Sequence, residues 1–313
     1  MTASGEKTRP ANGFLLSVIV IVRHPQDTPD AVLTSLAAEM GAADEPDRTE
    51  VILVDGRPDA PQPSCALPDP FTRLNRPNLN MPLLKAQGVL AARGRYLAFL
   101  EPKAVPMSGW LRAGLDAIIA HPEAAIGGAV VSGATRAVDR AVYRFEYAAF
   151  SQEAVQNGKG TDLPGNNMIL PAAELDANCA DILNMEGLNK PFCQARLTAA
   201  GVAIKLVPQM AVRLETGYRF WPLLSSRFQY ARCFGGTRVI HTSRRMRWLY
   251  RLGAPVIPVL LVRRHVGAAL RAQGSERLGG SGLAALFALC LTWSAGETAG
   301  YWFGSGMSCD NLY

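Results

Sequence analysis

The sequence predicts an α/β fold: a doubly wound, mostly parallel sheet flanked by helices, followed by a helical C-terminal segment. Three observations predict it. Continuous apolar runs, LLSVIVIV at 15–22 and EVILVD at 50–55, are of the kind buried on both faces of a parallel sheet. Stretches with helical spacing separate such runs, as βαβ units require. After residue 217 the character changes to arginine-rich and long apolar stretches.

Taken in order, 15–22 is the first strand and 28–40 the first helix, with Val32, Leu36 and Met40 on one face and Asp27 or Thr28 as its cap. Residues 50–55 form a second strand that ends in an acid. The proline-rich 57–70 stretch cannot be regular and loops over the surface. A helix over 83–92, a strand over 96–100, a helix from 108 or 109 to 121 capped by Ser108, and a strand over 125–131 complete this part. The middle is less regular. LPGNNMIL at 163–170 reads as a turn entering a strand. Residues 186–200 read as a helix interrupted near Pro191, and 202–207 as a strand. The apolar stretches 248–262 and 282–296 fall short of the ~20 residues that span a bilayer, so interfacial or re-entrant attachment is favoured over a spanning hairpin. The domain reading is a tail over 1–13, a sheet domain over 14–217 and a C-terminal segment over 218–313.

Of 313 residues, 49% are hydrophobic and 19% charged, which excludes a disordered chain. Cys65, Cys179, Cys193, Cys233, Cys290 and Cys309 are scattered without a CxxC pair, so neither a disulfide scaffold nor a zinc site is expected and a reducing cytoplasm fits. His24, His121, His241 and His265 form no pattern. Thirteen arginines face only Glu215 and Glu276 between 213 and 277, whereas the rest of the chain is net acidic. A basic block beside apolar runs points to anionic lipid, and no nucleic-acid motif accompanies it.

Ligands of doubly wound sheets bind beyond the carboxyl ends of the strands, where Asp55 and Glu101 stand. Arg23-His24-Pro25 follows the first strand where a dinucleotide-binding chain would carry GxGxxG, which excludes a Rossmann dehydrogenase.

The ordered series LLSVIVIV, EVILVDGRPD, LLKAQGVLAARGRYLAFLEPKAVPMSGWL, LPGNNMIL and WSAGETAGYWFG resembles the family-2 glycosyltransferases over 15–304. The resemblance implies a GT-A fold and transfer, with inversion, of a sugar from a nucleotide-diphosphate donor. The donor would lie against Val22, Arg23, Asp55, Gly56, Asp59, Lys85, Gln87, Glu101 and Lys103. Asp55 would bind the nucleoside, with Asp59 as helper. Glu186 in NMEGLNKPF is the candidate general base, because Asn189 and Lys190 hold the places of the family's usual acidic pair. Gly165, Asn166 and Asn167 would contact donor sugar and acceptor, and Arg232 in RFQYARCFGG would meet phosphate. Glu297 in the last motif carries less weight, since capping or an arginine partner accounts for it.

Glu101 stands where the family's metal-binding DxD motif begins, but the pattern is Glu-Pro-Lys. Two carboxylates would normally hold Mg²⁺ or Mn²⁺ across the donor phosphates. Either Lys103 supplies that charge without metal, or the motif has decayed. The first reading gives an enzyme at the cytoplasmic face of a bacterial inner membrane, acting on a lipid-linked or polysaccharide acceptor. The second gives a binding or scaffold subunit among polysaccharide-assembly partner proteins.

Overall fold

A computed structural model of the chain describes residues 13–43, 48–59, 61–158, 160–240, 242–272 and 277–311, apart from the side chain of Met185. All of the 1–13 tail except Gly13, and His241, lie outside the described residues. β1 (Leu16–Val22) and β2 (Thr49–Asp55) are buried at every position. Between them α1 (Asp30–Gly41) buries Val32, Leu33, Leu36 and Met40. Neither Asp27 nor Thr28 caps it, because Pro29 holds the N-cap position and has no side-chain acceptor to offer.

The proline-rich stretch is irregular as expected and runs into β3 (Phe71–Asn75), a half-exposed edge strand whose alternating polar residues gave no apolar run to read. α2 (Met81–Ala91) starts at Asn80, whose Oδ1 accepts the Leu83 N–H at 3.0 Å. β4 (Tyr96–Leu100) and the short β5 (Ala104–Pro106) follow. α3 (Trp110–Ala120) is not capped by Ser108. Glu39 of α1 does this instead, accepting the Gly109 and Leu111 N–H groups at 3.0 Å each. The order continues through β6 (Ala125–Ser132), α4 (Ala137–Glu146), α5 (Gln152–Gln156), β7 (Asn167–Pro171), α6 (Ala172–Met185), α7 (Lys190–Ala199) and β8 (Ile204–Leu214).

The described strands make one eight-stranded sheet in the order β3-β2-β1-β4-β7-β6-β8-β5. Its first half is parallel: β1 pairs with β2 and β4, and β2 with β3. β7 enters antiparallel to β4 and β6, and β5 is antiparallel to β8. The α/β class with flanking helices is therefore observed. Pro191 does not interrupt a helix but opens α7, where its missing N–H costs nothing.

The chain divides into two compact units, one of residues up to Val131 with Phe150–Leu214, the other of Ser132–Ala149 with the residues from Glu215 onward. The second unit contains α4, α8 (Phe220–Ile240), α9 (Arg244–Gly253), α10 (Ile257–Leu261), α11 (Gly267–Arg271) and α12 (Gly280–Phe303). α8 and α12 touch backbone to backbone. A Cβ on Gly296 would come within 2.4 Å of the Phe228 carbonyl oxygen, and one on Gly300 within 2.5 Å of that of Arg232. Arg227 on α8 donates to Glu146 Oε2 of α4 at 3.0 Å.

Cys233 and Cys309 form a disulfide across 76 residues, against the expectation of no bridge. The sequence hid it because the two lie far apart and only the α8–C-terminal packing brings their Cα atoms to 4.9 Å. The apolar helices are also longer than their apolar stretches. Arg244–Arg271 is a continuous helical run of 28 residues and Gly280–Phe303 one of 24, both long and apolar enough by length and composition to cross a membrane. Pro255 and Pro258 do not end the first run, since each opens a new short helical piece.

Candidate functional site

The carboxyl ends of β1, β2 and β4 lie side by side in the parallel half of the sheet, and the predicted donor residues cluster there. Val22 ends β1 and its carbonyl accepts the Gly56 N–H at 2.8 Å. Gly56 has no room for a side chain: a Cβ would come within 2.6 Å of Leu84 Cδ1 and 3.3 Å of Arg23 Cδ. Val22, Arg23 and Gly56 are thus brought together by packing.

Asp55 is fully buried, and both of its oxygens are taken. Arg57 grips it in bidentate fashion, Nε to Oδ1 at 2.9 Å and a terminal nitrogen to Oδ2 at 2.8 Å. Arg73, from β3, adds a third contact at 3.1 Å. Burial raises the Asp55 carboxyl, but the Arg57 and Arg73 contacts outweigh it and hold the group below the usual carboxylate range. In this geometry Asp55 anchors two guanidinium groups, and Arg57 is itself 5% exposed. Arg57 also donates to the Asp27 carbonyl at 2.7 Å. Asp59 is exposed in the following turn.

Lys85, Glu101 and Gly165 form a second cluster. Lys85 Nζ lies 3.2 Å from Glu101 Oε1 and 3.3 Å from the Gly165 carbonyl oxygen, with 8% of its side chain exposed. Gln87, on the same helix, accepts from Arg76 Nε at 3.0 Å and does not join it. Lys103 pairs with Asp27 at 3.2 Å. Glu186 closes α6 at its C-cap. Gly187 follows at φ 79°, and the Leu188 N–H donates to the Pro82 carbonyl at 2.8 Å, which docks the Glu186 turn on the first turn of α2, the helix that carries Lys85.

Asn166 and Asn167 part company. Asn167 accepts from Trp110 Nε1 at 2.8 Å and donates to the Ala129 and Met210 carbonyls at 2.9 and 2.8 Å. It pins β7 against its neighbours, and with both amide hydrogens engaged it has nothing left to donate. Asn166, 2% exposed, keeps a buried Oδ1 with no hydrogen-bond partner. Arg232 belongs to the second unit, where its Nε donates to the Gly304 carbonyl at 3.2 Å.

The residues the sequence reading missed are Arg57, Arg73 and, beside Gly165, Lys190, which pairs with Asp162. Arg57 and Asp59 flank the same proline, and the family resemblance points to the acid alone. Arg73 sits on the strand that was not foreseen.

A divalent ion of the kind the DxD motif holds does not fit these residues. Among the described residues no group of three His, Cys, Asp or Glu side chains could hold a metal. Glu101 offers one carboxylate, with the Lys85 ammonium already on it. A divalent cation there would have to share Glu101 with that ammonium, which repels it, and take its other oxygens from phosphates and water.

No protein-family model matches the chain. No curated protein sequence matches it either. Solved structures resemble it at low identity. The S. aureus TarS 1–349 crystal structure gives a TM-score of 0.45 at 13% identity, covering 83% of this chain and 76% of that one. The mannosyltransferase PcManGT from Pyrobaculum calidifontis, in complex with GDP-Man and Mn²⁺, gives 0.49 at 12%, covering 90% and 87%. Neither likeness is strong enough to assign chemistry to this chain.

Proposed function

We propose that the chain is a GT-A-type glycosyltransferase that moves a sugar from a nucleotide-diphosphate donor to a lipid-linked or polysaccharide acceptor. The observation that carries this reading is the cluster at the strand ends: Lys85, Glu101 and Gly165 in contact, with the Glu186 turn docked one turn away on α2. Acetal transfer needs a cation for phosphate, a polar loop for hydroxyls and a carboxylate for an incoming proton, and the Leu188–Pro82 bond ties the Glu186 turn to the helix that carries Lys85.

In that mechanism Glu186 takes the proton of the acceptor hydroxyl as its oxygen bonds to the anomeric carbon. The bond from that carbon to the donor's phosphate oxygen breaks, and the electron pair leaves with the nucleoside diphosphate. Attack opposite the leaving group inverts the anomeric centre, in line with the family resemblance. The basic apolar C-terminal segment gives a lipid-linked acceptor its place, at the cytoplasmic face of a bacterial inner membrane rich in anionic lipid.

The test is a panel of nucleotide sugars with purified protein. Turnover of one donor should fall by about 100- to 10,000-fold in Glu186→Gln while that donor still binds. The second reading, a non-catalytic subunit serving polysaccharide-assembly proteins, is favoured by Asp55 being closed under Arg57 and Arg73 and by the missing carboxylates beside Glu101. Donor binding without turnover, equal in wild type and Glu186→Gln, would establish it.

A further inference from the structure

Lys190 stands at the first turn of α7, and its side chain runs along Gly165: its Cγ lies 4.0 Å from where a Cβ on Gly165 would be. The Gly165 carbonyl accepts from Lys85. One glycine is therefore flanked by two ammonium-bearing side chains, 19% and 8% exposed. Burial pulls the Lys190 ammonium below the ordinary lysine range, Asp162 opposes this, and the neighbouring Lys85 charge adds to it. Each lysine has one carboxylate, Asp162 or Glu101, and both acids are more exposed than the lysine they face.

The next residue supplies an independent sign of a ligand. Asn166 Oδ1 is buried and unpartnered. An acceptor left so is destabilising, a penalty that a hydroxyl on a bound molecule would remove. Two lysines against Gly165 and an unmet acceptor on the next residue suit a ligand with a polyanionic end next to a hydroxyl-bearing one.

We infer that Lys85 and Lys190 together receive the donor's diphosphate in place of a divalent cation, with Asn166 Oδ1 accepting a hydroxyl of the same molecule. This rests on the nucleotide-sugar reading above and names how that site handles charge. As the anomeric carbon–oxygen bond breaks, the departing phosphate oxygen gains negative charge. Two desolvated ammonium groups fixed beforehand stabilise it in the role a metal plays elsewhere. Neither lysine gives up a proton, so the leaving group departs as the nucleoside diphosphate anion.

Isothermal titration of the full-length protein with inorganic pyrophosphate, and separately with UDP and GDP, in excess EDTA tests this. Pyrophosphate is expected to bind without metal, and Mn²⁺ added after removal of chelator should change the affinity little. Lys190→Gln and Lys85→Gln should each weaken pyrophosphate by about tenfold, the equivalent of ~1.4 kcal/mol, while the charge-keeping Lys190→Arg stays near wild type. Should Lys190→Gln fail to fold, Lys85→Gln and Lys190→Arg still decide the matter. Pyrophosphate binding only with Mn²⁺, or unaltered in the glutamine variants, overturns the lysine pair. Sugar transfer that requires Mn²⁺ would remove this inference and keep the transferase. Metal-free pyrophosphate binding by a protein that transfers nothing would do the reverse.

Discussion

Asp55 carries its charge where no water reaches, and Arg57 and Arg73 make that burial tolerable. Removing Arg57 leaves the buried carboxylate with Arg73 as its remaining guanidinium, so Arg57→Ala should cost about 3 kcal/mol in urea unfolding at pH 7, the low end for a broken buried pair. The sign with pH follows from the direction of the shift. Burial raises the carboxyl, the two arginines lower it further than that, and its folded value lies below the unfolded one. The stabilisation is then complete above about pH 4 and fades as pH falls through the folded value. The wild-type advantage over Arg57→Ala should shrink in acid. An advantage that grows on acidification would show the carboxyl to be protonated in the fold. The position of Asp55 was legible in EVILVD because an acid that ends a buried strand must lie at the sheet's rim. Its partners were not, because one is held on a neighbouring strand whose register no local pattern reveals.

Gly187 is the element-scale counterpart, the joint that seats the α6 end on α2. A Cβ there would fall 2.3 Å from the Pro82 carbonyl carbon, and the residue already sits at positive φ. Gly201 has positive φ too but open space around it. Gly201→Ala should therefore cost about 1–2 kcal/mol from backbone conformation alone. Gly187→Ala should cost more in urea unfolding and also depress transfer, because Glu186 moves with the turn. Equal costs for the two, with transfer intact in both, would refute the role of the joint. At this scale the strands β1, β2 and β4 were legible, since eight or fewer β-branched and apolar residues in a row admit little else. α6 was passed over, although Leu175, Cys179 and Ile182 recur at helical spacing. Its many alanines and polar residues diluted that stripe.

At the scale of the whole chain, the basic apolar segment exposes large apolar side chains along one helix. Trp248, Leu249 and Leu252 are 47%, 62% and 72% exposed on a helix that also carries Arg244, Arg245, Arg247 and Arg251. Such a face suits an anionic bilayer, where apolar side chains enter the headgroup boundary and arginines stay at the phosphates. The double variant Leu249→Glu/Leu252→Glu should lose most of its cosedimentation with phosphatidylglycerol vesicles, and raised salt should weaken the wild type. Unchanged sedimentation would place the attachment on another surface. The change of composition near residue 217, where charge and hydropathy both shift, was legible. That Ser132–Ala149 belongs with the later residues was not, because Ala141 and Val142 find their apolar neighbours Leu223, Leu286 and Leu289 far along the chain.

That outlying piece bears on how the gene can be cut. Stopping translation after 217 would strand α4 without the helices that cover it, baring its apolar side and leaving Glu146 without Arg227. A fragment holding the first unit alone would require excision of 132–149 along with everything beyond 214, so the two halves of this chain were not joined end to end but laced.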